Sequence, residues 1–329
     1  MLAIVIPPPN QPPQRGHPSP EPPLSAAANV LVTLMLFSLG VSLPAQNATL
    51  AWAKRAGGGS NDDGLGIAVD GDGNTYVTGH FRLTATFGAG DPNPTQVTAF
   101  GQDVFIAKYA PGGGLIWVRQ AKSQNGLGTA IGADAAGNCY VFGYFSLSIT
   151  FADGRPEAVT LNALANDLFL AKYDSDGNFI WAKQAGGSNS EYGYGIAVDA
   201  AGNSFVTGRY GSNPATFGAG EANETALAGL GGNNGLDVFI AKYDSNGLLQ
   251  WVKSAGGATS NWGAGIDIDA NGNCYVAGRF TGTATFGPGE ANQTVLTGPL
   301  GGSDEIFVAK FGPNGNLAWV RGGQGQAEH

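Results

Sequence analysis

Five tryptophans set the frame. Trp52, Trp117, Trp181, Trp251 and Trp319 each open a W-[AV]-[KR] string, at spacings of 65, 64, 70 and 68 residues. Between them GIAVDGDGNTYVTG (66–79) returns as AIGADAAGNCYVFG (130–143), GIAVDAAGNSFVTG (195–208) and GIDIDANGNCYVAG (265–278). A third string, D-x-F-[IVL]-A-K-[YF], stands at 103–109 and 237–243, with related copies at 167–173 and 304–311. Three motifs in one order, four times over, define a repeat of about 67 residues, and such units bury their apolar faces against their neighbours.

Each unit reads as four strands. Ile67-Ala68-Val69 is short and apolar, Asp70-Gly71-Asp72-Gly73-Asn74 supplies tight-turn chemistry, and Tyr76-Val77-Thr78 returns, so these form a hairpin. Val104 to Tyr109, the turn Ala110-Pro111-Gly112-Gly113 and Leu115 to Arg119 form a second. With the strands of a unit named A, B, C and D, the expected fold class is all-β: a β-propeller of four-stranded antiparallel blades. There are four complete repeats, at about 58–122, 123–187, 188–257 and 258–323, and an extra N-terminal strand at 48–57. That count leaves an open arc, a truncated ring or a four-blade ring as the architectures to be told apart. The strand D tryptophans Trp117, Trp181 and Trp251, flanked by units on both sides, are expected to be buried.

A propeller blade usually needs about 40 to 50 residues, and the surplus here lies between B and C. There TATFGAGDPNPT (84–95), PATFGAGEANET (214–225) and TATFGPGEANQT (283–294) are near copies, and SITFADGRPEAVT (148–160) is a weaker one. This segment reads either as a small extra β excursion on each blade or as a decorated loop without a partner.

Glycine supplies 54 of 329 residues, which argues against a helical protein, while hydrophobic residues at 43% are enough for a packed core. The net charge of −9 argues against nucleic acid as a partner, since phosphate binding needs clustered Lys and Arg. Residues 1–45 are of different composition. Nine prolines lie between Pro7 and Pro23, and an apolar run from Leu24 to Leu43 ends at Pro44-Ala45-Gln46. This reads as a proline-rich leader with a signal peptide cleaved after Ala45, or as an uncleaved membrane anchor, so a membrane is a partner only in the second case. Either way the repeat domain, 46–329, is expected outside the cytoplasm: extracellular, on the cell surface or periplasmic.

The G-I-A-V-D-x-x-G-N-x-Y-V-T-G, F-I-A-K-Y-D-x-x-G and W-x-K-x-A-G-G strings resemble the bacterial β-propeller repeat called SBBP, and the A-to-B hairpin is similar to NHL repeats. The resemblance covers residues 48–323. It implies one repeat per blade in a secreted or surface protein, usually without an assigned enzymatic activity, and no catalytic residues to carry over. Seven blades are common in such proteins, and four units are present here.

The Asp-rich turns Asp70 to Asn74 and Asp174 to Asn178 begin like a calcium loop, but a calcium loop needs Gly at its sixth position and Glu at its twelfth, where the first has Thr75 and Phe81. Turn chemistry explains them, and no metal or other cofactor is expected. Cys139 and Cys274 stand two blades apart, too far for a disulfide. No His-based triad recurs, so the expectation is a non-catalytic scaffold or interaction module for an unknown protein or glycan partner, the alternative being a lectin-like propeller, and third an enzyme with an unidentified site. The A-to-B and C-to-D turns should share one face, and the long B-to-C and D-to-A connections the other, where ligand binding is expected. That face would carry Asp62, Asp63, Glu191, Tyr192, Asn261 and Trp262 from the D-to-A loops, and His80, Tyr144, Arg209 and Arg279 from the ends of strands B.

Overall fold

The computed structural model describes residues 50–231, 235–298 and 303–322. The leader, the apolar run and the proposed cleavage site after Ala45 lie outside these. No helix among the described residues is long and apolar enough to cross a membrane.

Among the described residues all the elements are strands. A two-residue β1 (Gly57–Gly58) precedes the first blade, which comprises β2 (Asp63–Val69), β3 (Thr75–Phe87), β4 (Thr95–Tyr109) and the first half of β5 (Leu115–Ala133). The second half of β5 opens the next blade, followed by β6 (Cys139–Phe151), β7 (Val159–Tyr173) and β8 (Phe179–Ala185). The third blade holds β9 (Glu191–Val198), β10 (Ser204–Tyr210), β13 (Asp237–Tyr243) and β14 (Leu249–Gly256), with β11 (Ala215–Phe217) and β12 (Thr225–Leu227) between β10 and β13. The fourth holds β15 (Trp262–Ile268), β16 (Cys274–Thr281), β19 (Asp304–Phe311) and β20 (Leu317–Gly322), with β17 (Thr283–Phe286) and β18 (Thr294–Thr297) between β16 and β19. Within every blade the four strands pair antiparallel in chain order, as the repeat predicts.

The tight turns owe their form to aspartate. Asp70 accepts the N–H groups of Asp72 at 3.1 Å and Asn74 at 2.8 Å on Oδ1, and the Asn74 amide at 2.9 Å and the Tyr76 hydroxyl at 3.2 Å on Oδ2. Asp134, Asp199 and Asp269 repeat the two backbone bonds and the Asn bond, which accounts for D-x-x-G-N without a cation.

The core consists of three seams between adjacent blades. Val104 and Ile106 of the first blade meet Val141 and Phe145 of the second; Leu168 and Leu170 meet Val206 and Phe239; Val238 and Ile240 meet Val276 and Phe307. Cys139 and Cys274 are free, buried thiols in different seams. Along each seam the indole N–H of one blade reaches the C-to-D turn of the next: Trp117 to the Ser175 carbonyl at 3.1 Å, Trp181 to Ser245 at 3.3 Å and Trp251 to Pro313 at 3.0 Å. The burial expected of these tryptophans holds for Trp117, over whose ring the Arg119 guanidinium lies at 5.4 Å, whereas Trp181 and Trp251, followed at that position by Lys183 and Lys253, are half-buried.

The B-to-C excursion is a hairpin with a partner. Its first strand pairs with its own return strand and, on the other side, with the end of strand D of the preceding repeat: Ala255–Gly256 against Phe286 and Thr285, Gly186 against Thr216, and Lys122–Ser123 against Thr150 and Ile149. β1 makes the same contact with Thr86 and Ala85 of β3. The extra N-terminal strand expected at 48–57 is corrected to this two-residue element, and the described residues 50–56 lie outside strands.

Candidate binding cleft at the blade axis

Strand A of each blade carries a bulge. The register slips between Gly64 and Gly66, between Gly128 and Ala130, opposite Thr207 and Gly208, and between Gly263 and Gly265. The slip pushes the strand A carbonyl onto the glycine that ends the B motif: a Cβ on Gly79, Gly143, Gly208 or Gly278 would fall within 2.1 Å of the carbonyl oxygen of Asp63, Leu127, Tyr192 or Trp262. This is why that position is glycine. The bulge also turns one residue per blade out of the strand alternation. Leu65, Thr129, Tyr194 and Ala264, the four bulged residues, line with Trp262 one cleft of about 450 Å³, so all four inner strands converge on it. Thr129 ties two of them together by donating to the Gly193 carbonyl at 2.8 Å.

The ends of strands B flank this cleft, each opposite a residue of strand A: His80 opposite Asp63, Tyr144 opposite Leu127, Arg209 opposite Tyr192 and Arg279 opposite Trp262. Five of the ten residues expected to bind form a continuous stack across three blades. Tyr144 meets Tyr192 edge-on at 4.9 Å; the Arg209 guanidinium lies 4.5 Å from the Tyr192 ring and 5.0 Å from the Trp262 ring; Arg279 lies 3.2 Å from the Trp262 ring on its way to an ion pair with Asp304. Tyr194 joins at 6.1 Å from Trp262 and 5.9 Å from Arg209. Arg209 Nε is buried without a hydrogen-bond partner among the described residues, being held by ring faces. His80 and Asp63 stand apart from the stack, 3.4 Å from each other, and burial holds the His80 imidazole below its usual pKa against the pull of Asp63.

Three expected binding residues serve the loops instead. Asp62 accepts the N–H groups of Gly58 and Arg82. Glu191, fully buried, accepts those of Gly187 and Ser212, and Asn261, fully buried, donates to the carbonyls of Leu236 and Thr259. A polar side chain closing a loop in this way has its hydrogen bonds taken up by backbone groups. Conversely, the bulged residues are absent from the expected set. The G-x-[GA] string around each of them (GLG, GTA, GYG, GAG) is the signal that marks them.

Among the described residues no three His, Cys, Asp or Glu side chains gather closely enough to hold a metal ion. What the cleft offers is the Tyr194 and Trp262 rings, the Thr129 side chain and a partly apolar floor, with two guanidinium groups packed against Trp262.

The sequence model of the SBBP β-propeller repeat matches residues 51–80 and 180–209. An uncharacterised WD repeat-containing protein of Acanthamoeba polyphaga mimivirus is 24% identical over 83% of this chain and 23% of its own length. Regulatory protein FlaEY of Caulobacter vibrioides is 27% identical over 77% of this chain and 27% of its own. The chain thus spans about a quarter of the length of these relatives. Among solved structures, a protein of unknown function from Bacteroides caccae aligns with a TM-score of 0.32 and 9% identity, covering 84% of this chain and 86% of its own. The Neurospora crassa Pan2 WD40 domain aligns at 0.27 and 12%, covering 82% and 91%.

Proposed function

We propose that this β-propeller-repeat protein, of the WD-repeat type, is an exported, non-catalytic interaction module that engages a protein partner through the axial cleft. The observation that carries the reading is a cleft built by all four inner strands and lined by Tyr194 and Trp262, with Arg209 and Arg279 packed on the Trp262 ring and Tyr192 and Tyr144 continuing the stack behind them. Trp, Tyr and Arg are the residues that dominate binding energy at protein interfaces, and here their side chains are already held by one another, so little ordering entropy is lost on docking. A lectin-like platform is less well supported, because sugars stack on an open ring face and both guanidinium groups lie against Trp262. Export rests on the apolar run that ends at Pro44-Ala45.

Two measurements test this. Photo-crosslinking from position 194 or 264 in the producing cells should capture one protein partner, and Arg209→Ala with Trp262→Ala should abolish the crosslink without unfolding the chain. Saturation of the cleft by a monosaccharide, with no protein captured, would favour the lectin reading. N-terminal sequencing of secreted material should begin at Gln46; a start at Met1 would defeat the export part.

A further inference from the structure

The excursion hairpins carry an ion pair at three of the four places where one repeat follows another. Lys183 reaches Glu221 at 2.7 Å, Lys253 reaches Glu290 at 2.7 Å, and Lys54 pairs with Asp91. In each case the second carboxylate oxygen accepts the backbone N–H that opens strand D: Leu249 at 2.7 Å, Leu317 at 2.6 Å and Leu115 at 2.8 Å. The carboxylate is thus part of the hinge between excursion, strand D and the preceding blade.

The second repeat breaks the pattern while keeping the backbone. Arg155 stands where Asp91, Glu221 and Glu290 stand, with the same N–H bond three residues back, to Ala152 at 3.0 Å, as Glu221 makes to Gly218 at 2.9 Å. The cation facing it, two residues after the tryptophan, is Arg119, and Phe179 opens strand D. Two guanidinium groups therefore face each other where the other repeats place a lysine and a carboxylate. Between them lies a cleft of about 230 Å³, lined also by Lys122, Asp153, Tyr173 and Phe179. Lys122 is engaged by Asp153 at 2.6 Å, and Glu157 is 3.8 Å from Arg155, on the exposed side. Arg119 gives three of its five donors to the carbonyls of Gly177, Asp176 and Val118, which fixes the guanidinium and leaves two.

An independent observation comes from Tyr173. Its ring is buried and its hydroxyl has no hydrogen-bond partner among the described residues. The corresponding phenols Tyr109 and Tyr243 sit within the field of Asp91 and Glu221. Tyr173 sits within that of Arg119 and Arg155. A buried donor left unmatched costs free energy, and here it lines a cationic cleft.

We propose that the cleft between Arg119 and Arg155 binds an external carboxylate, which takes the place that Asp91, Glu221 and Glu290 fill in the other repeats. One oxygen would accept the Phe179 N–H and the other the guanidinium groups, with the Tyr173 hydroxyl donating as well; charge-assisted, two-pronged contacts of this kind suit a planar carboxylate, and the place is one that carboxylates fill in the other three repeats. The site is separate from the axial cleft and does not depend on the reading of that cleft.

Calorimetric titration of the full chain tests it with four probes: acetate, acetamide, inorganic phosphate and galacturonate, and a blocked glutamate tripeptide distinguishes an acidic protein segment from a small acid. Acetate should bind and acetamide, its neutral isostere, should not. Tighter binding of galacturonate than of the peptide identifies a free acid as the ligand, and the reverse identifies an acidic segment. Arg155→Glu reinstates the arrangement of the other repeats, so it should stay folded and lose carboxylate affinity by tenfold or more. Tyr173→Phe, which keeps the ring packing, should lose a few-fold. Phosphate binding as tight as acetate, or acetate affinity unchanged in both variants, would overturn the proposal.

Discussion

Buried carboxyls set how this protein responds to pH. Burial, helped by the charge of Asp167, pushes Glu191 from 4.5 up to about 7, and burial pushes Asp237 from 3.8 up to about 6, although each accepts two backbone N–H groups. For an acid whose folded pKa is raised, the fold favours the neutral form, so the stability it contributes is present below the unfolded pKa and is lost as pH rises to the folded value. The window is pH 4.5 to 7 for Glu191 and 3.8 to 6 for Asp237. The turn aspartates act in the opposite sense. Hydrogen bonds from Asn273 and Tyr275 hold Asp269 down to about 2, and those from Asn74 and Tyr76 outweigh burial to hold Asp70 below its usual value, so their contribution is lost as pH falls below 3.8. The urea midpoint should therefore be highest near pH 4 to 5 and decline toward neutrality. Glu191→Gln should flatten that decline, and an unaltered slope in the variant would mean that the charge of Glu191 is not its source. Of these residues the turn aspartates were legible, since D-x-x-G-N carries its own local hydrogen-bond logic. The role of Glu191 was not, because nothing local distinguishes a carboxylate that closes a loop from one that meets a ligand.

At the scale of the element, the excursion hairpin and the tryptophan do the same work from two ends of the blade, joining each repeat to the one before or after it. Phe217 and Ala215 of β11 are buried in the seam between the second and third blades, and Gly186 and Thr216 exchange both backbone bonds at 3.1 and 2.8 Å. Phe217→Ala should accordingly cost about 3 to 5 kcal/mol, as a core truncation does. The Gly186 and Thr216 amides should exchange hydrogen with the core, while rapid exchange there would return the hairpin to the status of a surface loop. The indole bonds make a matching prediction. Trp117→Phe removes a donor from the Ser175 carbonyl and should cost about 1 kcal/mol beyond lost packing. Trp319→Phe, which ends the last described blade, should cost less in the same urea titration. The four strands of a unit were readable from alternation and turns alone, but the stitching was not, because pairing between β14 and β17 joins residues of different repeats, and neither the A-G-G nor the T-A-T-F-G string tells which partner it meets. The bulged residues were hidden for a related reason: a bulge inverts the two-residue period that a strand is recognised by.

For the whole molecule, stability comes from seams, so a residue counts according to whether a blade lies beyond it. Val104, Leu168 and Val238 at one position of strand C, and Ile106, Leu170 and Ile240 two residues on, are all buried, each covered by the following blade. Ile306 and Val308 hold the same two positions in the fourth blade and are 69% and 41% exposed. At the other end Ile67 of β2 is 50% exposed, where Ile131, its counterpart in β5, is 5%. Among the described residues no strand pairing joins β20 or β19 to β1 or β2, so the four blades form an open arrangement around their shared cleft, and its two outer faces carry the apolar residues that the inner seams bury. The contrast gives an internal control that does not depend on residue type. Val238→Thr places a hydroxyl in a sealed seam and should cost about 1 to 3 kcal/mol. Ile306→Thr, at the same register position, should change stability by no more than about 0.5 kcal/mol and should raise solubility, because it removes apolar surface from an open face. Measured at one low protein concentration, equal losses in the two variants would mean that the face of the fourth blade is covered in solution. Repeating the titration at tenfold higher concentration would then identify the cover: a loss for Ile306→Thr that grows with concentration requires a second copy of the chain, and one that does not requires contact within the same molecule.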